Sequence, residues 1–181
     1  MAEVEPSDLI LQLQGIEIRC QKHAAGLPQR EEIKKYWEGM LFEVAGVHVV
    51  TALKEVKEIL NIPPVVTPIP GTRNWMRGVA NIRGNLMPVV DLQAFLGGAL
   101  LTTHARTRVL VINQSGIFTG LMVEEVLGIR YFPEEFRTKS GSMAGAMGQF
   151  IDGAFVQEGR SWPIFSMPRL AGNNAFQSAA A

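Results

Sequence analysis

The feature of the sequence that most constrains the fold is an internal repeat. A shift of 70 positions brings the apolar stretch around Gly46 onto the stretch around Gly116. After Pro63, which falls on Pro133, the shift becomes 75, as if five residues were inserted within 132–148. Shared glycines and prolines make two related units a better explanation than a chance likeness. The matched pairs include Leu41 and Val111, Phe42 and Ile112, Ile59 and Ile129, Trp75 and Phe150, Gly78 and Gly153, Gly84 and Gly159, and Pro88 and Pro163.

Each copy of the repeat has the pattern of short β-strands. The stretches EGMLFEVAGVHVV and RVLVINQSGIFTGLMVEEVLGI are apolar and β-branched, with turn signals at Gly46 and at Ser115-Gly116. Long helical periodicity is absent from this part of the chain. A unit of roughly 60 residues is marginal alone, so we expect two copies to share a core. The sequence predicts a mainly β fold of two pseudo-symmetric small β-barrels, packed together and joined by short helical turns.

The repeat also suggests the domain organisation. Residues 38–172 are expected to form the repeat body, with the first barrel at about 38–106 and the second at about 107–165. An exchange of edge strands between the barrels stays open at this point. Residues 173–181 are expected to be a flexible tail.

Residues 1–37 are expected to form a helical N-terminal extension. Leu9, Leu13, Ile16 and Cys20 recur at spacings of four, three and four, which places them on one helix face. The sequence leaves three roles open for this helix: docking on the body, binding a partner, or a frayed arm.

Charged residues distinguish the two copies. Arg77 aligns with Asp152 and Arg83 with Glu158, while the glycine that follows each position is kept. A glycine kept in both copies indicates a backbone requirement such as a positive φ. The side chain before it is then free to serve recognition, and arginine suits the bidentate binding of carboxylates or carbonyls. The alternative is that both arginines are solvated charges or partners of acids within the chain.

Asp91 ends a predicted strand and aligns with Ser166. Both residue types cap short helices by accepting a backbone N–H bond, so we expect a cap at each position. The alternative for Asp91 is a phosphoacceptor, which would need companion acids that the sequence lacks.

Composition excludes several functional classes. Lys and Arg together number 17, as do Asp and Glu, so the chain lacks the basic surplus of a general nucleic-acid or anionic-membrane binder. One cysteine and three scattered histidines give no metal-ligand spacing, and no catalytic or nucleotide-binding motif occurs. No apolar run reaches membrane-spanning length, and the acidic start lacks a signal-peptide pattern. We therefore expect a cytoplasmic protein with no catalytic residues, no metal and no cofactor.

The stretch GVANIRGNLMPVVDL resembles the CheW family of chemotaxis adaptors. The family mark is an N-[IL]-R-G turn followed by a strand that ends in P-[IV]-V-D-L. EVKEIL upstream and GLMVEEVLGI in the second half also match, so the likeness runs from about Met40 to Leu170. The extension and the balanced charge resemble the branch of this family that serves the chemosensory system controlling type IV pilus twitching motility.

The resemblance implies a fold of two five-stranded SH3-like barrels and a non-enzymatic scaffolding role. It implies two partners, the cytoplasmic tip of a methyl-accepting chemoreceptor and the regulatory domain of a CheA-type histidine kinase. It also implies recruitment to membrane-associated receptor arrays, without insertion into the membrane and without nucleic acid. Position by position, the family motif assigns receptor binding to Asn81, Arg83, Gly84, Val56 and Gly78. No residue is assigned to the kinase-facing surface.

Two other functions stay open at this stage. One is coupling in flagellar chemotaxis instead of twitching. The other is a self-assembling interaction module without a kinase, which would use the N-terminal helix.

Overall fold

The computed structural model describes residues 35–139, 143 and 145–179. The predicted N-terminal helix lies outside these residues, and the first strand already begins at Tyr36. Single 3-10 turns occur at Leu53–Glu55, Glu134–Phe136 and Gly148–Phe150. The strands are β1 (Tyr36–Val44), β2 (Val47–Ala52), β3 (Val56–Asn61), β4 (Met76–Ile82), β5 (Asn85–Asp91), β6 (Arg108–Gln114), β7 (Ile117–Val123), β8 (Glu125–Pro133), β9 (Arg137–Thr138), β10 (Ile151–Gln157) and β11 (Arg160–Phe165), and the helices are α1 (Leu92–Phe95), α2 (Met167–Ala171) and α3 (Asn174–Gln177).

The strands form two sheets, which confirms the mainly β fold. The first sheet has the order β3-β6-β7-β5-β4, and the second has the order β8-β1-β2-β11-β10-β9. Each sheet contains a hairpin from the other half of the chain, because β6-β7 lies within the first and β1-β2 within the second. The boundary between the two barrels that the sequence suggested near residue 106 therefore does not separate the strands of one sheet from those of the other.

The pairing register reproduces the sequence repeat. Met40 pairs with Ile129 in the second sheet, and Leu110 pairs with Ile59 in the first. Leu110 lies 70 positions after Met40, and Ile129 lies 70 positions after Ile59, so the two pairs are equivalent. The parallel pairs Val89 with Gly120 and Ile164 with Val50 obey the same relation, by shifts of 75 and 70. The two halves therefore exchange their hairpins reciprocally.

Four two-residue turns share one backbone conformation, which has positive φ at both central residues. The first residue of each turn has φ of 52–53°, and the second is a glycine with φ between 71° and 85°. This conformation matches the twist of a hairpin and favours glycine at the second position. The turns predicted at Gly46 and at Ser115-Gly116 are thus confirmed. The turns are Ala45-Gly46, Arg83-Gly84, Ser115-Gly116 and Glu158-Gly159.

In the part of the chain that the structure describes, the core has three buried clusters. One lies on the first sheet and includes Met87 and Val111; a second lies on the second sheet and includes Phe132 and Trp162. The third and largest draws residues from both sheets. Alternation along the strands explains this arrangement, because successive side chains point to opposite faces. In β6, Val111 contributes to the first-sheet cluster while its neighbour Leu110 contributes to the shared one.

Residues 173–179 differ from the flexible tail that the sequence led us to expect. Asn173 caps α3 by accepting hydrogen bonds from the backbone N–H groups of Ala175 and Phe176. Phe176 is buried, and its ring stacks on Trp75 with centroids 6.1 Å apart and planes inclined by 6°. Burial of this one aromatic ring explains why the polar, small-residue stretch around it is ordered.

Candidate partner-binding site

The β4–β5 turn presents three of the five residues that the family motif assigns to receptor binding. Asn81, Arg83 and Gly84 are all exposed there. The Asn81 side-chain oxygen accepts a hydrogen bond of 2.9 Å from the Gly84 N–H, which fixes the turn from within. Arg83 occupies the left-handed region at φ 53°. The turn is thus a rigid base from which the Arg83 side chain, 74% exposed, projects into solvent.

Arg83 has one partner within the described residues. Its guanidinium nitrogen Nη2 lies 2.5 Å from the Glu58 carboxylate on β3. Arg83 therefore forms an ion pair within the chain, as the alternative interpretation predicted. Its partner is Glu58 and not Glu158, the residue with which Arg83 aligns in the repeat. Because the arginine side chain stays largely exposed, the pair contributes little to stability. The remaining N–H donors of the guanidinium are available to another acceptor.

A groove of about 150 Å³ runs beside the Arg83–Glu58 pair. Its rim is charged and its floor is apolar, and the Lys57 ammonium lies 5.2 Å from the centroid of the Phe118 ring. Sequence reasoning assigned only Arg83 among its lining residues. The lining residues are Lys57, Glu58, Ile82, Arg83, Asn85, Met87, Val111 and Phe118.

Val56 does not line this groove. A register shift between Val56 and Glu58 in the β3–β6 pairing changes which face each residue presents. Val56 pairs with Ile112 and packs against the shared core cluster, whereas Glu58 pairs with Val111 beside the groove. A contribution of Val56 to binding would therefore act through the position of β3.

Gly78 lies outside the groove as well, because it is buried at a register shift in β4. Its φ is 134°, and a Cβ atom there would overlap the Thr67 carbonyl oxygen. Its counterpart Gly153 has φ 98° and meets the Thr138 carbonyl in the same way. These glycines let a neighbouring backbone segment approach the strand closely, as the repeat predicted.

Leu86 is an exposed apolar residue that sequence reasoning missed. It lies opposite Asn81 in the β4–β5 pairing, and 71% of it is exposed. Alternation places Leu86 on the strand face opposite Met87 and Val89, and its position beside the turn leaves it uncovered, whereas Val90 on the same face is buried. The turn therefore combines a cation with an adjacent apolar side chain.

Arg77 lies in a separate cleft of about 390 Å³. It is partly exposed, and the described residues offer it neither an ion pair nor a hydrogen bond. Of the described residues that line the cleft, it alone is charged. The others are Ile62, Val66, Pro68, Asn74, Met76, Thr103 and Met122.

Asp91 forms the predicted cap and is fully buried. Its Oδ1 accepts a hydrogen bond of 3.0 Å from Ala94 N–H, and its Oδ2 accepts one of 2.8 Å from Leu101 N–H. Both oxygens are thus occupied, which argues against a phosphoacceptor. Within residues 35–139, 143 and 145–179, no three His, Cys, Asp or Glu side chains are grouped so that they could hold a metal ion. Helices in this same part of the chain are too short or too polar to cross a membrane.

Comparison with known proteins gives matches along most of the chain. The model of the CheW-like domain family matches residues 38–174. Protein PilI from Pseudomonas aeruginosa is 39% identical over 165 residues, which is 91% of this chain and 92% of that protein. Protein FrzA from Myxococcus xanthus is 31% identical over 96 residues, covering 53% of this chain and 59% of that protein.

A solved structure shares the fold. The scaffolding protein TtCheW from Thermoanaerobacter tengcongensis superposes with a TM-score of 0.70 at 20% sequence identity, covering 81% of this chain and 100% of that one. The resemblance to the CheW family that the motif indicates is confirmed by the family match, and the likeness to PilI spans nearly the whole chain. Because the family model spans the whole repeat and PilI matches nearly from end to end, the chain belongs to the CheW-like domain family.

Proposed function

We propose that this protein is a non-enzymatic scaffold that couples methyl-accepting chemoreceptors to a CheA-type histidine kinase. The system it serves would control type IV pilus twitching motility, and the protein would work in the cytoplasm at membrane-associated receptor arrays. Family membership supports the scaffolding role, and the PilI relative supports the pilus output.

The observation that carries the proposal is the exposed Arg83 on its rigid turn. Asn81 and Gly84 hold the backbone, so binding a partner costs little ordering of the main chain. The guanidinium can offer paired N–H donors to a receptor carboxylate, and the exposed Leu86 adds apolar area beside it. Val56 and Gly78 would contribute by positioning β3 and β4.

Coupling requires more than tethering. A scaffold changes the activity of a kinase only if it contacts the active and inactive states with different free energies. Individual contacts can be modest, because an array holds the partners at high effective concentration. The receptor site on the first sheet leaves the second sheet available for another partner.

The first test measures receptor binding. Arg83→Ala should weaken the affinity for a soluble fragment of the chemoreceptor's cytoplasmic tip by about tenfold, as expected for an interface arginine. The affinity is measured by calorimetric titration. Glu158→Ala is the matched control, because Glu158 occupies the same turn in the other repeat at φ 53°. An unchanged affinity for Arg83→Ala, or an equal loss in both variants, would contradict the assignment.

The second test addresses the kinase and the output. A pull-down from a cytoplasmic extract should retain a CheA-type kinase, and incubation with the phosphorylated kinase should transfer no label to Asp91. Deleting the gene should reduce twitching and leave swimming unchanged. If the deletion abolishes swimming and leaves twitching intact, the flagellar alternative is favoured. If the pull-down retains no kinase, the self-assembling module is favoured.

A further inference from the structure

The repeat places a second cleft at the position equivalent to the Arg77 cleft. This cleft has a volume of about 620 Å³ and lies on the second sheet. Arg137, Lys139 and Arg169 line it together with Ile151, Asp152 and Gly153. None of these described residues also lines the Arg83 groove.

The strand pairing shows that the two clefts correspond. Thr67 bridges to Val79 beside the first cleft, and Thr138 pairs with Ala154 beside the second. Val79 and Ala154 are 75 positions apart, so Thr138 takes the place of Thr67. In this register Arg137, Lys139 and Asp152 of the second cleft take the places of Val66, Pro68 and Arg77 in the first. Arg169 also lines the second cleft, and it aligns with Ala94, which is a buried residue of α1.

The exchanges convert an apolar cleft with one arginine into a cationic one. Two arginines bracket Asp152: Arg137 Nη2 lies 3.2 Å from its Oδ2, and Arg169 Nη2 lies 2.6 Å from its Oδ1. Arg169 also donates a hydrogen bond of 2.8 Å from Nη1 to the Ile151 carbonyl. The aspartate thus holds the two guanidinium groups in place and reduces their mutual repulsion.

The cleft keeps a positive surplus that is open to solvent. Three cations face one carboxylate, and Lys139 is exposed without an ion pair to any described residue. The Arg137 and Arg169 side chains are 42% and 50% exposed, so donors that Asp152 does not use remain accessible. In a chain whose net charge is zero, this is a local concentration of positive charge.

We propose that this cleft binds an acidic peptide segment of a partner protein. An extended segment with spaced carboxylates can reach Lys139 and the outer edges of Arg137 and Arg169 separately. A compact anion at the centre of the cleft would meet the Asp152 carboxylate, which favours the peptide over free phosphate.

The test measures binding of a short fluorescent peptide of alternating Glu and Ser to the full-length protein by anisotropy at low salt. Lys139→Gln should weaken binding by about 5-fold, and the double variant Arg137→Gln/Lys139→Gln by more, because each removes one charge pair. The control is Arg106→Gln, which removes an exposed cation that pairs with Glu125 elsewhere. Arg83→Ala should bind the peptide normally, which separates this site from the proposed receptor site.

Three results would overturn the proposal. The first is the absence of saturable binding to the unaltered protein. The second is an equal loss of affinity in Arg106→Gln and in the double variant, provided that their thermal unfolding midpoints match. The third is displacement of the peptide by inorganic phosphate at concentrations where chloride has no effect, which would assign the cleft to a small anion.

Discussion

At the residue scale, Asp91 illustrates how far sequence reasoning reached. The cap on α1 was predictable, because an aspartate that precedes a short helix has a local backbone donor three residues ahead. The bond from Leu101 N–H was not predictable, since it joins positions ten apart through the loop after α1. The same limit applies to Glu58, whose pairing with Arg83 spans 25 positions.

Replacing Asp91 should therefore cost more than replacing its counterpart. Asp91→Ala leaves two buried backbone donors without an acceptor, so we expect a loss of about 3 kcal/mol in the free energy of unfolding. Ser166→Ala removes one 3.3 Å bond at an exposed position and should cost about 1 kcal/mol. Urea unfolding of both variants gives the comparison. Equal losses would mean that the Leu101 bond contributes nothing.

The glycines with positive φ should separate into two classes. Gly78→Ala brings a Cβ against the Thr67 carbonyl and should cost about 3 kcal/mol. Gly84→Ala has no atom within 4 Å to clash with, so only its backbone conformation opposes it, at about 1 kcal/mol. Chemical denaturation measures both variants. A larger cost at Gly84 would show that turn geometry, and not close backbone approach, is the stronger constraint.

At the scale of elements, the strands and turns were largely predictable and their partners were not. Alternation and glycine placement identify the β1-β2 and β6-β7 hairpins, because these signals are local. They do not say which sheet a hairpin joins, since an apolar strand face fits any complementary apolar surface. The register shift at Val56, which removes that side chain from the groove, is likewise set by pairing with β6.

The core of the second sheet gives a test of packing. Phe132 is fully buried, and its ring stacks on Phe155 with centroids 4.7 Å apart. Phe132→Ala should lower the free energy of unfolding by about 4 kcal/mol through lost contacts and the cavity left behind. The equivalent position in the other repeat is Ile62, which is only partly buried, so Ile62→Ala should cost about 1 kcal/mol. Calorimetric melting distinguishes the two, and similar midpoints would contradict the unequal burial.

At the scale of the whole molecule, the exchanged hairpins should make the two sheets unfold together. Neither sheet can lose its own strands without disrupting the other, because each half of the chain contributes to both. We therefore expect one cooperative transition in denaturant. Trp162 reports on the second-sheet core and Trp75 on the shared cluster, so tryptophan fluorescence and far-UV circular dichroism of the unaltered protein should give the same midpoint. Separate midpoints would show that the sheets are independent.

The hairpin exchange has a further consequence for how such a chain can be built. One repeat alone supplies three or four strands of a sheet and a hairpin that fits only the other sheet. A solitary repeat would thus have a sheet that lacks its central hairpin, together with an unpaired hairpin of the kind that such a sheet needs. Two solitary copies would complete each other by exchanging hairpins, so the smallest stable form of one repeat would be an intertwined homodimer. The single chain has the architecture of such a dimer with its two copies joined end to end.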